Sequence, residues 1–162
     1  MIKAILAADD NGGVGKNGSM PWPRNAKDME WFKKNTENQI IIMGKTTWID
    51  PNMPTPLLNR VNVLVTNQDS RKYPGADIYI KGDLIDSLKK INIDYPTKIK
   101  WIIGGPKIVD QIFPLIQEFY LTRIYGNFFC DTHLDLNKIR KNMTISDKIK
   151  TDENCHFEIW SR

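Results

Sequence analysis

The sequence predicts a single α/β domain over residues 1–162. Its core is a central mixed, mostly parallel β-sheet flanked by about four helices, with an antiparallel C-terminal strand. Three observations carry this prediction. Short apolar runs rich in β-branched residues recur along the chain, as strands buried on both faces do. Helical stretches lie between several of them, and alternation of strand and helix favours a parallel sheet covered by helices. Residues 144–160 instead read as strand–turn–strand around Thr151, Asp152, Glu153 and Asn154, which puts an antiparallel pair at one edge.

The first run, residues 2–8, stops at Asp9-Asp10. It is too short and too soon acidic for a secretory signal, and nothing later is long enough to span a bilayer. The loop Gly13-Val14-Gly15-Lys16-Asn17-Gly18 follows and matches the glycine spacing of dinucleotide folds. That spacing works only where a helix begins at once and offers its N-terminus to a pyrophosphate. Here Ser19-Met20-Pro21-Trp22-Pro23 comes next, and two prolines in three residues forbid an immediate helix. Gly15-Lys16 also lacks the Ser or Thr of a phosphate-binding P-loop. What remains is a flexible glycine-rich loop ending in an apolar Met-Pro-Trp segment.

Asn25 can cap a helix over residues 26–35 by accepting from first-turn N–H groups. A strand at 40–43 leads through Gly44-Lys45-Thr46-Thr47 into a short helix over 45–50. Strands at 61–65 and 78–80, a helix over 83–91 and a strand at 99–103 come next. Ile103-Gly104-Gly105-Pro106-Lys107 is a second strand-to-helix glycine turn. Its glycines admit positive φ and close approach of a ligand. Pro106 suits the start of the helix over 107–113, where its missing N–H is an orphan anyway. The run at 119–125 precedes the C-terminal pair.

Composition bounds the function. The chain is 41% hydrophobic and 26% charged, which is ordinary for a soluble globular enzyme. Its net charge of +4 comes from Lys and Arg spread along the chain, without a basic block or a nucleic-acid motif. No nucleic-acid or membrane partner is expected. Cys130 and Cys155 lack metal-ligand spacing and read as reduced thiols of a cytoplasmic protein. His133 and His156 show no catalytic partner at recognisable spacing, and Asp131-Thr132-His133 reads as a loop-ordering segment.

Asp28 is the most informative residue. On the helix after Asn25 it stands with Met29 and Phe32 at i+1 and i+4, so a carboxylate shares a stripe with large apolar side chains. Aimed inward, it costs several kcal/mol unless a cation or hydrogen-bond donor meets it. It could equally turn to solvent beside Lys27.

The ordered set of Met20-Pro21-Trp22, Asp28 with Trp31-Phe32, Gly44-Lys45-Thr46-Thr47, Ile103-Gly104-Gly105-Pro106-Lys107, Leu121-Thr122 and Asp131-Thr132-His133 resembles dihydrofolate reductase over essentially the whole chain. The resemblance implies NADPH-dependent reduction of 7,8-dihydrofolate to tetrahydrofolate, supporting one-carbon metabolism and thymidylate synthesis, by a monomer. It implies that Asp28, the only acid expected in the pocket, works with Trp22, Met20 and Thr122, with Met20 and Trp22 on a loop that closes over the nicotinamide. Substrate would be held by Ile5, Asp28, Phe32, Arg60, Ile103 and Thr122, with Arg60 on the carboxylate of the folate tail. NADPH would be held by Ala7, Val14, Gly15, Lys45, Thr46, Thr47, Thr66, Asn67, Lys81, Gly104, Gly105, Pro106, Lys107 and Ile108. A cis Gly104–Gly105 peptide is implied as well. Lys45 replaces a common arginine with a point charge.

Two other classes bear comparison. The reductase of riboflavin synthesis shares this fold and NADPH, but lacks an acid and aromatic pair like Asp28 and Phe32 and needs a sugar-phosphate grip. A catalytically silent NADPH-binding structural module would be expected to have lost Asp28, Trp22 or Gly104-Gly105.

Overall fold

The computed structural model describes residues 1–151 and 154–162. Asp152 and Glu153, in the predicted C-terminal turn, lie outside the described residues. The elements run β1 (Ile2–Ala8), β2 (Gly13–Gly15), α1 (Ala26–Thr36), β3 (Ile40–Gly44), α2 (Lys45–Trp48), β4 (Val61–Val65), β5 (Ile78–Ile80), α3 (Leu84–Asp94), β6 (Lys100–Gly104), α4 (Pro106–Ile112), β7 (Glu118–Ile124), β8 (Thr132–His133), α5 (Leu136–Asn142), β9 (Thr144–Lys150) and β10 (Cys155–Ser161). Among the described residues there are thus five α-helices rather than about four. The additional one, α5, begins where the Asp135 side chain accepts from the Lys138 N–H.

The main sheet has eight strands in the order β5-β4-β3-β6-β1-β7-β10-β9. Neighbours from β5 across to β7 are parallel. Strand β10 runs antiparallel to both β7 and β9, so the expected mixed sheet with an antiparallel end is present.

Period-two alternation explains the continuous apolar runs, because both faces of the sheet are covered. Ile40 and Ile42 of β3, with Ile102 of β6, pack against Leu84, Leu88 and Ile91 of α3 and Ile108, Val109 and Ile112 of α4. Ile41 and Met43 of β3, with Trp101 and Ile103 of β6, face the other way onto Trp31 and Phe32 of α1. Trp31 stacks on Phe157 of β10 at 4.4 Å and on Tyr120 of β7 at 5.8 Å, seating α1 on that face.

Register opens the cleft. Strands β1 and β6 pair only from Ile2↔Lys100 to Ala4↔Ile102. Beyond that point Ile5, Leu6 and Ala7 on one side and Ile103 and Gly104 on the other line a cavity of about 1040 Å³. It lies at the carboxyl ends of parallel strands, where open α/β sheets take ligands. None of the helices among the described residues is long and apolar enough to cross a membrane.

Candidate active site

Asp28 is held at the cleft by two local devices. The Asn25 side chain accepts from the Asp28 N–H at 3.0 Å and starts α1 there. Thr122, on β7 and only 1% exposed, donates its hydroxyl to Asp28 Oδ1 at 2.6 Å. Burial pushes the Asp28 carboxyl above the usual carboxylate range, against the opposing pull of the Thr122 hydroxyl. The side chain is therefore directed into the cleft, not out beside Lys27. Phe32 lines the same wall. Met29 reaches the cleft but stays 45% exposed, so the apolar company of Asp28 is Phe32 more than Met29.

Most of the residues singled out in the sequence converge on this cavity. Ile5, Ala7, Val14, Gly15, Met20, Arg60, Ile103 and Ile108 line it together with Asp28 and Phe32. Lys45, Thr46, Thr47, Thr66, Asn67, Gly104, Gly105, Pro106 and Lys107 line it toward the other end. Lys81 is not among the lining residues, whereas its neighbour Gly82 is, held by its N–H to Asn67 Oδ1 at 3.1 Å. Thr122 reaches the cleft only through Asp28. Trp22 does not line it; it packs edge-on against Phe128 at 5.8 Å and supports the loop from behind. Arg60 lines the cleft while its Nε donates to the Leu58 carbonyl at 2.8 Å and one terminal nitrogen donates to Thr36 Oγ1 at 3.0 Å, which fixes its fork.

Asp28 is not the only acid present, contrary to expectation. Glu30 and Asp50 also line the cavity, Glu30 as an exposed side chain and Asp50 as a buried one. They went unforeseen because neither sits on an apolar stripe in the sequence.

The cavity fits a nucleotide at its glycine end. Gly44 and Gly105 lead into α2 and α4 with no side-chain cap, leaving first-turn N–H groups for a ligand. A Cβ placed on Gly105 would meet nothing within 4 Å, so that backbone faces open space. Gly104 has φ +134°, and a Cβ there would sit 3.1 Å from Thr47 Oγ1. The Gly104–Gly105 peptide is cis.

The glycine-rich loop is more ordered than its composition suggests. Asn17 and Gly18 both have positive φ, and Lys16 and Ser19 exchange backbone hydrogen bonds at 2.7 and 3.1 Å. Asn-Gly at the centre of a two-residue hairpin is the signal that could have revealed this. No helix follows directly, as the prolines required. Asp9, 1% exposed, ties the base of the loop: its carboxylate accepts from the N–H groups of Asn11, Gly13 and Phe128 at 2.8–3.0 Å. Burial alone would raise the Asp9 pKa, but those N–H donors outweigh it and hold it below the ordinary range. An Asp opening Asp-Asp-Asn-Gly is an Asx-turn signature. His133 belongs to β8 and pairs with Gly13, so it does order a loop. His156 sits on the sheet between Tyr125 Oη at 2.9 Å and Glu158 Oε2 at 2.8 Å, partners the sequence did not disclose.

A cleft charged and hydroxylated at one end and apolar around a tethered acid at the other suits a reductase that brings a nucleotide hydride donor to a heterocycle. A family model described as dihydrofolate reductase matches residues 1–162. The chain is 32% identical over 160 residues to dihydrofolate reductase of Bacillus subtilis, covering 98% of this chain and 90% of that protein. It is 28% identical over 155 residues to the enzyme of Rattus norvegicus, covering 86% and 82%. Among solved structures, dihydrofolate reductase from Enterococcus faecalis complexed with NADP(H) and RAB-propyl shares the fold. Its TM-score is 0.81 at 22% identity, over 100% of this chain and 96% of that one. The chain belongs to the dihydrofolate reductase family. Its activity is that of the family, NADPH-dependent reduction of dihydrofolate.

Proposed function

We propose that Asp28 is the group that recognises the pterin and favours its protonation, and that the cleft walls orient the two reactants. The observation that carries this is the Thr122–Asp28 hydrogen bond at 2.6 Å inside an apolar cleft. A carboxyl raised by burial and fixed by one donor is poised to hydrogen-bond an amino-pyrimidine edge. Backbone groups of Ile5 and Ile103 flank the same position, and Phe32 offers an aromatic face for the pterin or the adjoining aryl group. Arg60, with its fork partly fixed by Leu58 and Thr36, is suited to the tail carboxylate.

The residues at the other end fit NADPH. Lys45, Thr46, Thr47, Thr66, Asn67 and Lys107 supply ammonium groups, hydroxyls and an amide for its phosphates, and Ala7, Val14 and Gly15 border the nicotinamide end. Lys81 is retained only as an outlying contact. Bound NADPH supplies the hydride. The protein holds the pterin against it, keeps water out with Met20 and the loop behind it, and uses Asp28 to favour a proton at the ring nitrogen through bound water. Trp22 serves by buttressing that loop on Phe128.

We further propose that residues 1–162 act as one domain, as a monomer in the cytoplasm with no nucleic-acid partner. A chain with two cysteines that lack metal-ligand spacing suits a reducing compartment. Light scattering on the purified protein tests the monomer.

The decisive assay follows near-ultraviolet absorbance when protein meets NADPH and dihydrofolate, with NADH and Asp28→Asn alongside. Fast loss with NADPH, slow loss with NADH and a rate in the variant lower by about 100-fold or more support the assignment. Full activity of Asp28→Asn across neutral pH would remove Asp28 from its role.

A further inference from the structure

Asp50 is an acid in the wall of a cleft that otherwise gathers ammonium groups and hydroxyls at the same end. It is 8% exposed, borders the cavity, and lies two residues beyond α2, whose Lys45, Thr46 and Thr47 line the nucleotide end. Both donors that reach its carboxylate converge on one oxygen. The Ser19 hydroxyl donates to Asp50 Oδ1 at 2.7 Å, and the Asn52 N–H donates to the same atom at 2.9 Å. Among the described residues no donor meets Oδ2. Oδ2 is not sealed in the interior either, so a ligand can reach it. A carboxylate oxygen so nearly buried is costly until a donor meets it. The charge would also repel an anionic ligand, so an acid beside a phosphate grip calls for a hydrogen-bond donor on that ligand.

We infer that Asp50 Oδ2 is the acceptor for the vicinal hydroxyls of the ribose that carries the nicotinamide; this rests on the NADPH assignment above. Two placements point to that sugar. Through α2, Asp50 adjoins the residues suited to the phosphates, and through Ser19 it adjoins Met20 and the nicotinamide end. The ribose is the part of the cofactor that joins those two. NADPH has a single vicinal diol, and it is on this sugar, because the adenosine ribose carries the 2′-phosphate. An acidic side chain is the group that takes ribose hydroxyls in dinucleotide folds of other architecture. Ser19 and the Asn52 N–H hold Oδ1, which fixes the carboxylate and leaves Oδ2 to accept. Asp50 is thus a binding residue, and it reads a part of the cofactor that Lys45, Thr46 and Thr47 do not.

The test is Asp50→Asn in the full chain, which keeps an acceptor for Ser19 and Asn52 and replaces the other oxygen with a donor. Fluorescence titration gives Kd for NADPH, dihydrofolate and adenosine 2′,5′-bisphosphate, which offers phosphates but no nicotinamide ribose. NADPH should bind about tenfold more weakly in the variant. The bisphosphate and dihydrofolate should keep their wild-type affinity or bind slightly better. The sign is decisive: a bystander acid only repels the anionic cofactor, so neutralising it would tighten NADPH. Equal or tighter NADPH binding would overturn the proposal, as would an equal loss for NADPH and the bisphosphate. A loss confined to dihydrofolate would overturn it by assigning Asp50 to the substrate. In the wild-type chain, the carbon-13 resonance of the Asp50 carboxyl should shift with NADPH and stay in place with the bisphosphate. The same response to both ligands overturns the inference without recourse to a variant. If the wild-type chain bound no NADPH in the titration, the cofactor assignment itself would fail, and this inference with it.

Discussion

Thr122→Val isolates the one hydrogen bond on which the chemistry at Asp28 depends. Thr122 is 1% exposed and pairs in register with Ala7 on β1 and Phe157 on β10. Valine has the same shape and suits a strand, so the sheet should survive the exchange. What is lost is the 2.6 Å donation to Asp28 Oδ1. A hydrogen bond to a charged acceptor contributes about 1.5–3 kcal/mol. Removing it takes that preference away from the anion, so the Asp28 carboxyl should titrate higher in the variant than in the wild type. Carbon-13 NMR of the Asp28 carboxyl, titrated in wild type and variant, reads this directly. The ionisation seen in the pH dependence of kcat should move the same way. A carboxyl that titrates at or below its wild-type value would refute the reasoning, because the hydroxyl would then not be stabilising the anion.

Further predictions concern stability. Because burial raises the folded-state pKa of Asp28, the wild-type fold loses stability as pH rises from the unfolded value through the folded one. Asp28→Asn should therefore be more stable than wild type at pH 7 in urea, with the gain vanishing below about pH 4; a variant weaker at neutral pH contradicts this. Asp9 has the opposite sign: its folded-state pKa is lowered, so its contribution is present above the unfolded value and lost on acidification below about pH 4. Asp9→Asn should cost about 1–2 kcal/mol at pH 7, judged by the three backbone donors it serves, with the deficit shrinking in acid. Gly104→Ala should destabilise by about 1–3 kcal/mol, since φ +134° is strained for any side chain and Thr47 Oγ1 stands in the way. The same change should weaken NADPH binding by fluorescence titration, and wild-type affinity would count against a close backbone approach there.

Local signals read well in this chain. Strands Ile2–Ala8, Val61–Val65 and Ile78–Ile80 stand where their β-branched runs placed them, and the Asn25 cap starts α1 as expected. Helix α5, of seven residues, escaped because a short segment carries little periodicity. The pairing of β2 with β8 escaped because two short segments in loops have no alternation to display. Asn17-Gly18 forms a hairpin turn where glycine content alone suggests flexibility.

By itself the sequence determined the alternating class, the capped helix that carries Asp28, and the two glycine turns. These depend on residues near in the chain, whose spacing physics is local. Only the tertiary structure decided that Thr122, 94 residues away, meets Asp28. It alone showed that β1 and β6 part after Ala4 and Ile102 to open the cleft. It also brought Asp50 to Ser19, put Trp22 behind the loop and left Lys81 outside. Those outcomes follow from strand order and register, which are set by packing summed over the whole sheet, a sum that no short window of sequence contains.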